Sequence, residues 1–332
     1  MSVPILVTGG TGFIGSHVVD ALIHGGQKVV VLDDFSGGFF NNVNKSVDLV
    51  QGSILDASFI NALFDQYRFE YVFHLAAYAA EGLSHFIKRF NYENNLIGSV
   101  NLINASINHD VQCFVFTSSI AVYGKNQLPM VEDLVPNPED SYGIAKYAVE
   151  KELEISHNMF GLDYVIFRPH NVYGERQNIG DKYRNVIGIF MNQILQGKPL
   201  SIFGDGNQTR AFSYIGDVAP IIAEAAFKPE AFGEVYNIGA DKSYTISELA
   251  KYVSRVMGVE PQLVYYPARN EVSHAYASHE KIKKMFNYTP RYSLEVGLTR
   301  MAHWAKEIGP GHSKAFENIE IMKNLPEAWL ES

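Results

Sequence analysis

Gly9-Gly-Thr-Gly12-Phe13-Ile14-Gly15 follows a short apolar run, Ile5 to Thr8, and opens an amphipathic stretch from Phe13 to His24. Glycines at that spacing between a strand and a helix let the backbone turn tightly and approach a diphosphate, which then faces the free N–H groups of the helix N-terminus. A glycine turn can also be no more than a tight connection. The next strand, Val29-Val-Val-Leu-Asp33-Asp34, decides between the two. A carboxylate about 20 residues past the glycines can accept both hydroxyls of a ribose. Asp33 would repel a 2′-phosphate, and no Lys or Arg follows before Lys45, so the pattern predicts NAD rather than NADP.

Short β-branched or aromatic runs recur through the first 168 residues: Ile5 to Thr8, Lys28 to Leu32, Leu49 to Gln51, Tyr71 to Leu75, Cys113 to Thr117 and Tyr164 to Arg168. Longer amphipathic stretches, such as Phe13 to His24 and Asn94 to Asn108, lie between them. That alternation predicts an α/β fold with a Rossmann-type doubly wound parallel sheet. After Arg168 the rhythm breaks into Asn-, Gly-, Arg- and Tyr-rich pieces, including the polar loop Phe203-Gly-Asp-Gly-Asn-Gln-Thr-Arg210. The expected division is a dinucleotide-binding domain over 1–168, to which a segment at about 208–238 returns, and a smaller mixed α/β substrate-binding lobe over 169–332. The tail beyond Gly309 reads as a surface extension.

The chain carries 27 Lys and Arg against 36 Asp and Glu, a net charge of -9, which argues against nucleic acid or an anionic membrane as partner. Only Cys113 is present, inside an apolar run, so no intrachain disulfide can form. No metal-ligand spacing is visible, and His74, at the end of a strand, reads as a satisfied core histidine. No run of about 18 apolar residues occurs, and the start lacks a basic leader, so a soluble cytoplasmic protein is expected.

Tyr142-Gly-Ile-Ala-Lys146 puts a phenol and an ammonium one helical turn apart. Such pairs are common on helix surfaces, and context gives this one meaning. Upstream, Phe114-Val-Phe-Thr-Ser118-Ser119-Ile-Ala-Val-Tyr123 leaves a strand with hydroxyls at its carboxyl end, where open α/β sheets bind ligands. A tyrosine titrates near ~10, so to act as a base near neutrality it needs a nearby cation, and a shift of ~3 units corresponds to ~4 kcal/mol. Lys146 and an oxidised nicotinamide would supply that charge.

These residues together resemble the extended short-chain dehydrogenase/reductases, in particular the nucleotide-sugar epimerases and dehydratases. The likeness runs through the glycine loop, Asp33, His74-Leu-Ala-Ala77, Ser118-Ser119, Tyr142 with Lys146, Arg168-Pro-His-Asn171-Val-Tyr-Gly174, Gly204 to Arg210, and Asn237-Ile-Gly239. The resemblance implies that Tyr142 is the base, that Ser119 hydrogen-bonds the sugar hydroxyl, and that Lys146 holds the nicotinamide ribose. It implies further cofactor contacts from Asp34, Ser53, Ile54, Leu75, Ala76, Ala77 and Asn95, and diphosphate contacts from Asn171 and Arg210. A nucleotide-diphosphate sugar, with UDP-sugars favoured, is the implied substrate, and a homodimer the implied assembly.

Within the family, 4,6-dehydratases carry Thr-Asp-Glu where this chain has Ser119-Ile120-Ala121, which speaks against elimination. The stretch from His74 to Asn95 resembles that of UDP-galactose 4-epimerases without a gap. The expected activity is therefore 4-epimerisation through a transient 4-keto sugar. A 5,6-dehydratase, a 3,5-epimerase and a 4-dehydrogenase share the C4 oxidation and stay open as alternatives; a non-catalytic dinucleotide sensor would not need the Tyr and Lys pair. Glu81 stands where those epimerases have an apolar residue, and His170 replaces an aromatic, so both are expected at the substrate. Arg269 and Glu271 are further expected substrate contacts, although their spacing departs from the family's. A hydrophobic share of 47% is enough for a substantial core.

Overall fold

A computed structural model of the chain describes residues 3–268, 272–312, 316–326 and 329. Arg269 and Glu271 lie outside the described residues. In chain order the elements are β1 (Ile5–Thr8), α1 (Phe13–His24), β2 (Val29–Asp33), β3 (Asp48–Gln51), α2 (Ala57–Tyr67), β4 (Tyr71–His74), α3 (Glu81–Ser84), α4 (Lys88–Tyr92), α5 (Gly98–Asn108), β5 (Cys113–Thr117), α6 (Ser141–Phe160) and β6 (Asp163–Pro169). They continue as β7 (Val172–Tyr173), α7 (Val186–Leu195), β8 (Leu200–Phe203), β9 (Thr209–Ala211), β10 (Ser213–Tyr214), α8 (Ile215–Glu224), β11 (Glu234–Ile238), β12 (Ser243–Thr245), α9 (Ile246–Met257), β13 (Leu263–Tyr266), β14 (His274–Ala275), α10 (Glu280–Phe286) and α11 (Leu294–Ile308).

Among the described residues, seven parallel strands form the central sheet in the order β11-β6-β5-β4-β1-β2-β3. Helices cover both faces, so β1, β2 and β5 are buried at every position and apolar up to the polar residue that ends each, Thr8, Asp33 and Thr117. One apolar cluster, with Leu6, Phe64, Phe114 and Leu153, fills the face under α2, α5 and α6. The other runs from Val7 on β1 and Val18 on α1 through Ile222 on α8 into Phe190, Leu249 and Leu298 of the later helices. The later elements thus share a core with one face of the sheet, and α8 packs directly on α1.

The helix expected from Asn94 onward begins as a π turn, Glu93–Ile97, ahead of α5. Asn94 donates to the Phe90 carbonyl at 2.9 Å and Ser99 to the Asn95 carbonyl at 3.1 Å, side-chain bonds that compete with the regular ladder.

The tail is the larger departure from expectation. Beyond Gly309 the chain folds back, and Trp329, 5% exposed, sits in an apolar cluster with Ala80, Leu83 and Ile87. Glu320 accepts from the Arg89 and Phe90 backbone N–H groups, both at 2.9 Å, capping α4. The Tyr183 hydroxyl accepts from the Phe316 N–H at 3.0 Å, and Gly311 bonds both ways with Asn192 of α7. Phe316, Ile319 and Trp329 find apolar surface between α3, α4 and the loop holding Tyr183, and burying it outweighs leaving the tail in solvent.

Candidate active site

Strand order reverses at β1 and β4, the point where open α/β sheets hold ligands beyond the strand ends. Here Gly9 adopts a φ of +70°, and a Cβ on it would stand 2.6 Å from the Ala76 nitrogen. Gly12 caps α1 with no side-chain acceptor, so the N–H groups at Phe13 and Ile14 face outward uncapped. Asp33, nearly buried, accepts from Thr11 N at 3.0 Å and Phe35 N at 2.9 Å, which fixes its carboxylate beside the glycine turn. Each oxygen keeps lone-pair capacity for a hydroxyl. Asp34 is exposed and caps its own turn through Ser36 N. Ser53 and Ile54 follow β3 on the same strand-end edge, where Gly52 N donates to Asp33 O. Thr11 Oγ1 is buried without a partner among the described residues. Open helix donors, a glycine cradle and a fixed ribose acceptor fit the diphosphate and adenosine ribose of NAD.

A buried relay stiffens this point. Ala76 N–H donates to Thr8 Oγ1 at 3.3 Å, and Thr8 lies 2.7 Å from His74 Nδ1. On the other side, His74 Nε2 lies 2.8 Å from Ser99 Oγ, whose proton goes to the Asn95 carbonyl. Satisfying every group requires a neutral His74 protonated on Nε2. Burial pushes its pKa down to about 3, with the Lys146 charge adding to the effect. The unfolded chain binds this proton below about pH 6.5 while the folded chain refuses it, so stability falls as pH drops from 6.5 toward 3. At pH 5 the loss from this residue should be about 2 kcal/mol. Urea unfolding of the native protein and of His74→Gln at pH 7 and pH 5 checks this, since the variant should lose less on acidification.

Asn95 is buried, and both amide hydrogens are committed: Nδ2 donates to the Tyr78 carbonyl and to Asn91 Oδ1, while Oδ1 accepts Tyr78 N at 2.8 Å. It clamps the chain after β4 rather than presenting its amide to the cleft. Leu75, Ala76 and the exposed Ala77 form that chain.

Asp140 caps α6 by accepting from Gly143 N at 2.8 Å, and Ser84 Oγ accepts from Tyr142 N at 3.2 Å. These bonds dock α3 on the start of α6 and set Tyr142 against Ser119, whose hydroxyl hydrogen-bonds the phenol. Lys146 Nζ donates to the Thr117 carbonyl at 2.8 Å and lies 5.8 Å from the Tyr142 ring centre. Burial pushes Lys146 down to about 7, opposed by Glu150. The phenol departs from the expected lowering: burial first, then the Glu81 charge, hold it above its usual value, with the Ser119 bond pulling the other way. Lys146 gives one of its donors to the Thr117 carbonyl, and its charge is not among those that act on the phenol.

Glu81 opens α3, exposed to solvent and close enough for its charge to act on Tyr142. Asn171, at φ 40°, donates to the Ala211 carbonyl at 3.1 Å. Arg210 reaches back to the Ser273 and Val272 carbonyls, tying β9 to the segment before β14. His170 does not reach the cleft: it is 2% exposed, and its nitrogens face the Ala211 carbonyl at 3.2 Å and His279 at 2.9 Å. The small Gly239 leaves the room this ring occupies.

Arg184 was missed in sequence. Its charge acts on Tyr142, it pairs with Asp181 at 2.6 Å, and it lies over the Tyr78 ring at 4.7 Å. No periodicity marks an arginine in a loop. Asp140 carried a readable signal, an N-cap residue just before Tyr142. Among the described residues no His, Cys, Asp and Glu group could hold a metal, and no helix is long and apolar enough to cross a membrane.

The sequence model of the NAD dependent epimerase/dehydratase family matches residues 5–239. A UDP-glucose 4-epimerase of Thermotoga maritima, solved with UDP-glucose, superimposes with a TM-score of 0.88 at 37% identity, over 92% of this chain and 99% of that one. A UDP-glucose 4-epimerase of Halalkalibacterium halodurans is 32% identical over 326 residues, 93% of this chain and 97% of that one. A UDP-glucuronic acid 4-epimerase of Bacillus cereus, solved with UDP-glucuronic acid and NAD, gives a TM-score of 0.84 at 30% identity, over 92% of this chain and 99% of that one.

Proposed function

The chain belongs to the NAD-dependent epimerase/dehydratase family, and from that premise we propose that it is a UDP-sugar 4-epimerase that works through a transient 4-keto sugar. The observation that carries the reading is the convergence of Tyr142, Ser119 and Lys146 at the carboxyl end of β5, beside a cradle that fits NAD. NAD held by the glycine turn and Asp33 supplies a hydride acceptor that can also return the hydride.

Tyr142 takes the proton of the sugar's 4-hydroxyl, and Ser119 steadies both the phenol and the substrate oxygen. Lys146, fixed by Thr117, sits where it can hold a ribose hydroxyl and add positive charge near the phenol. Asn171 and Arg210 line the β9 edge as donors for the diphosphate. Ile120 and Ala121 beside Ser119 offer no acid for elimination. UDP is favoured as nucleotide because the relatives at 37% and 30% identity were solved with UDP-sugars. We infer a homodimer from a stripe of exposed apolar residues on α6, Ile144, Ile155 and Met159, next to Ile97 before α5.

Turnover in deuterium oxide tests the reaction. A 4-epimerase returns the hydride to the carbon it left, so product carbon should carry no deuterium by NMR or mass spectrometry. Label at C3 or C5 would overturn the reading in favour of chemistry beside the ketone, for which Glu81 is the base at hand.

A further inference from the structure

His170, His279 and Asp241 form a chain of contacts behind the proposed diphosphate edge. His170 Nδ1 lies 3.2 Å from the Ala211 carbonyl, His170 Nε2 2.9 Å from His279 Nε2, and His279 Nδ1 2.7 Å from Asp241 Oδ1. The rings stack at 5.1 Å between centres and both are buried. Each contact needs one hydrogen, and the outer partners, a carbonyl and an ionised carboxylate, bring none. Two neutral imidazoles carry two hydrogens between them. The three contacts are satisfied together only when the pair holds one proton more.

The group that favours that extra proton is the Asp241 carboxylate, 2.7 Å from His279 Nδ1. Asp241 from the turn after β11 is held below the usual carboxylate range, by the His279 hydrogen bond first and also by Lys283, whose Nζ lies 3.0 Å away. Lys283 also pairs with Glu280 on α10, and Tyr288 beyond α10 donates to the Gly239 carbonyl. Burial first, and then the neighbouring His279, push His170 down to about 3. When the extra proton leaves, one contact becomes lone pair against lone pair. The outermost is the Ala211 carbonyl, which also accepts from Asn171 and sits next to Arg210 on β9. Ser213 fastens the same corner, accepting nothing from the rings but donating its hydroxyl to His170 O and its N–H to Asn171 O.

We propose that His170, His279 and Asp241 are positioning residues whose shared proton sets Asn171 and Arg210 for the diphosphate, so that substrate affinity, not the hydride step, follows the protonation of the pair. The pair titrates as a unit, and affinity is highest with the proton on and falls as pH rises. This rests on the reading of Asn171 and Arg210 given above.

The test is isothermal titration of UDP-glucose into NAD-loaded Tyr142→Phe protein, which cannot turn it over, from pH 5.5 to 9. A diphosphate diester does not itself titrate there. The Kd should rise about fivefold to tenfold through the titration, the cost of one spoiled buried hydrogen bond. Adding Asp241→Asn makes the discriminating variant. An amide can donate to His279 Nδ1, and two neutral rings then satisfy the remaining contacts, so its Kd should stay at the low-pH value throughout. His279→Ala should bind weakly at every pH. A flat parent profile, or an Asp241→Asn protein as pH-dependent as its parent or weak at pH 5.5, overturns the proposal. Spectra of 15N-histidine protein, read without substrate, should show one proton shared by two coupled rings; two rings neutral from pH 5.5 upward would also overturn it. If UDP-glucose binds at no pH while those spectra show the shared proton, the substrate reading fails and the shared proton stands.

Discussion

Tyr142→Phe protein should bind NAD and UDP-glucose with affinities close to the parent's and turn over at least about 10³-fold more slowly, the usual scale for removing a positioned acid–base group. The change deletes one oxygen and keeps a ring that is 5% exposed in the start of α6. Packing, the Asp140 cap and the docking of α3 do not use the hydroxyl. What is lost is the proton acceptor and its bond to Ser119. Steady-state kcat with titration calorimetry for both ligands reads the split. Turnover within about tenfold of the parent would mean that another group takes the proton, with Glu81 the first to examine.

Glu150→Ala should cost about 3–5 kcal/mol of folding stability, measured by urea unfolding, because it strands a buried guanidinium. Arg168 gives Nε and one Nη to Glu150 at 3.0 and 2.6 Å and its other Nη to the Tyr123 hydroxyl at 2.7 Å. Tyr123 passes its own proton to Asn237 at 2.8 Å, and Ser118 donates to Glu150 at 2.5 Å. Strands β5, β6 and β11 and helix α6 are thus joined by one polar network inside the sheet's cover. Replacing both charges, Glu150→Leu with Arg168→Met, should restore much of the loss, since no unpaired charge remains. The single variant should also leave Lys146 neutral over more of the pH range, because Glu150 is the group that opposes its downward shift.

Strands β1, β2, β4, β5 and β6 were legible within a residue or so at either end, because buried parallel strands are short apolar runs. The cradle was legible for a similar reason: Gly9, Gly12, Gly15 and Asp33 act through local backbone geometry and fixed spacing. The Tyr142 and Lys146 pair was legible from its four-residue interval only with the Ser118-Ser119 strand end upstream as context. Partners contributed by distant segments were not. Nothing local says that Asn95 spends its amide on Tyr78, that His170 is buried against His279, or that Arg184 and Glu81 both act on one phenol. Those facts belong to tertiary packing, as does the fate of the tail, whose scattered Phe316, Ile319 and Trp329 show no helical or strand period. The sign of the Tyr142 shift went the other way because a phenol buried with a carboxylate nearby is harder to ionise, and Lys146 is turned toward Thr117.

The returning tail makes the glycine turn and the wall bearing Glu81 and Arg184 separable by a single scission. A cut between α11 and Glu320 would free the residues that cap α4 and seat Trp329 against Gly82 and Tyr183. It would touch neither the glycine turn nor Asp33. The cradle would stay as it is while the wall bearing Glu81 and Arg184 lost its buttress.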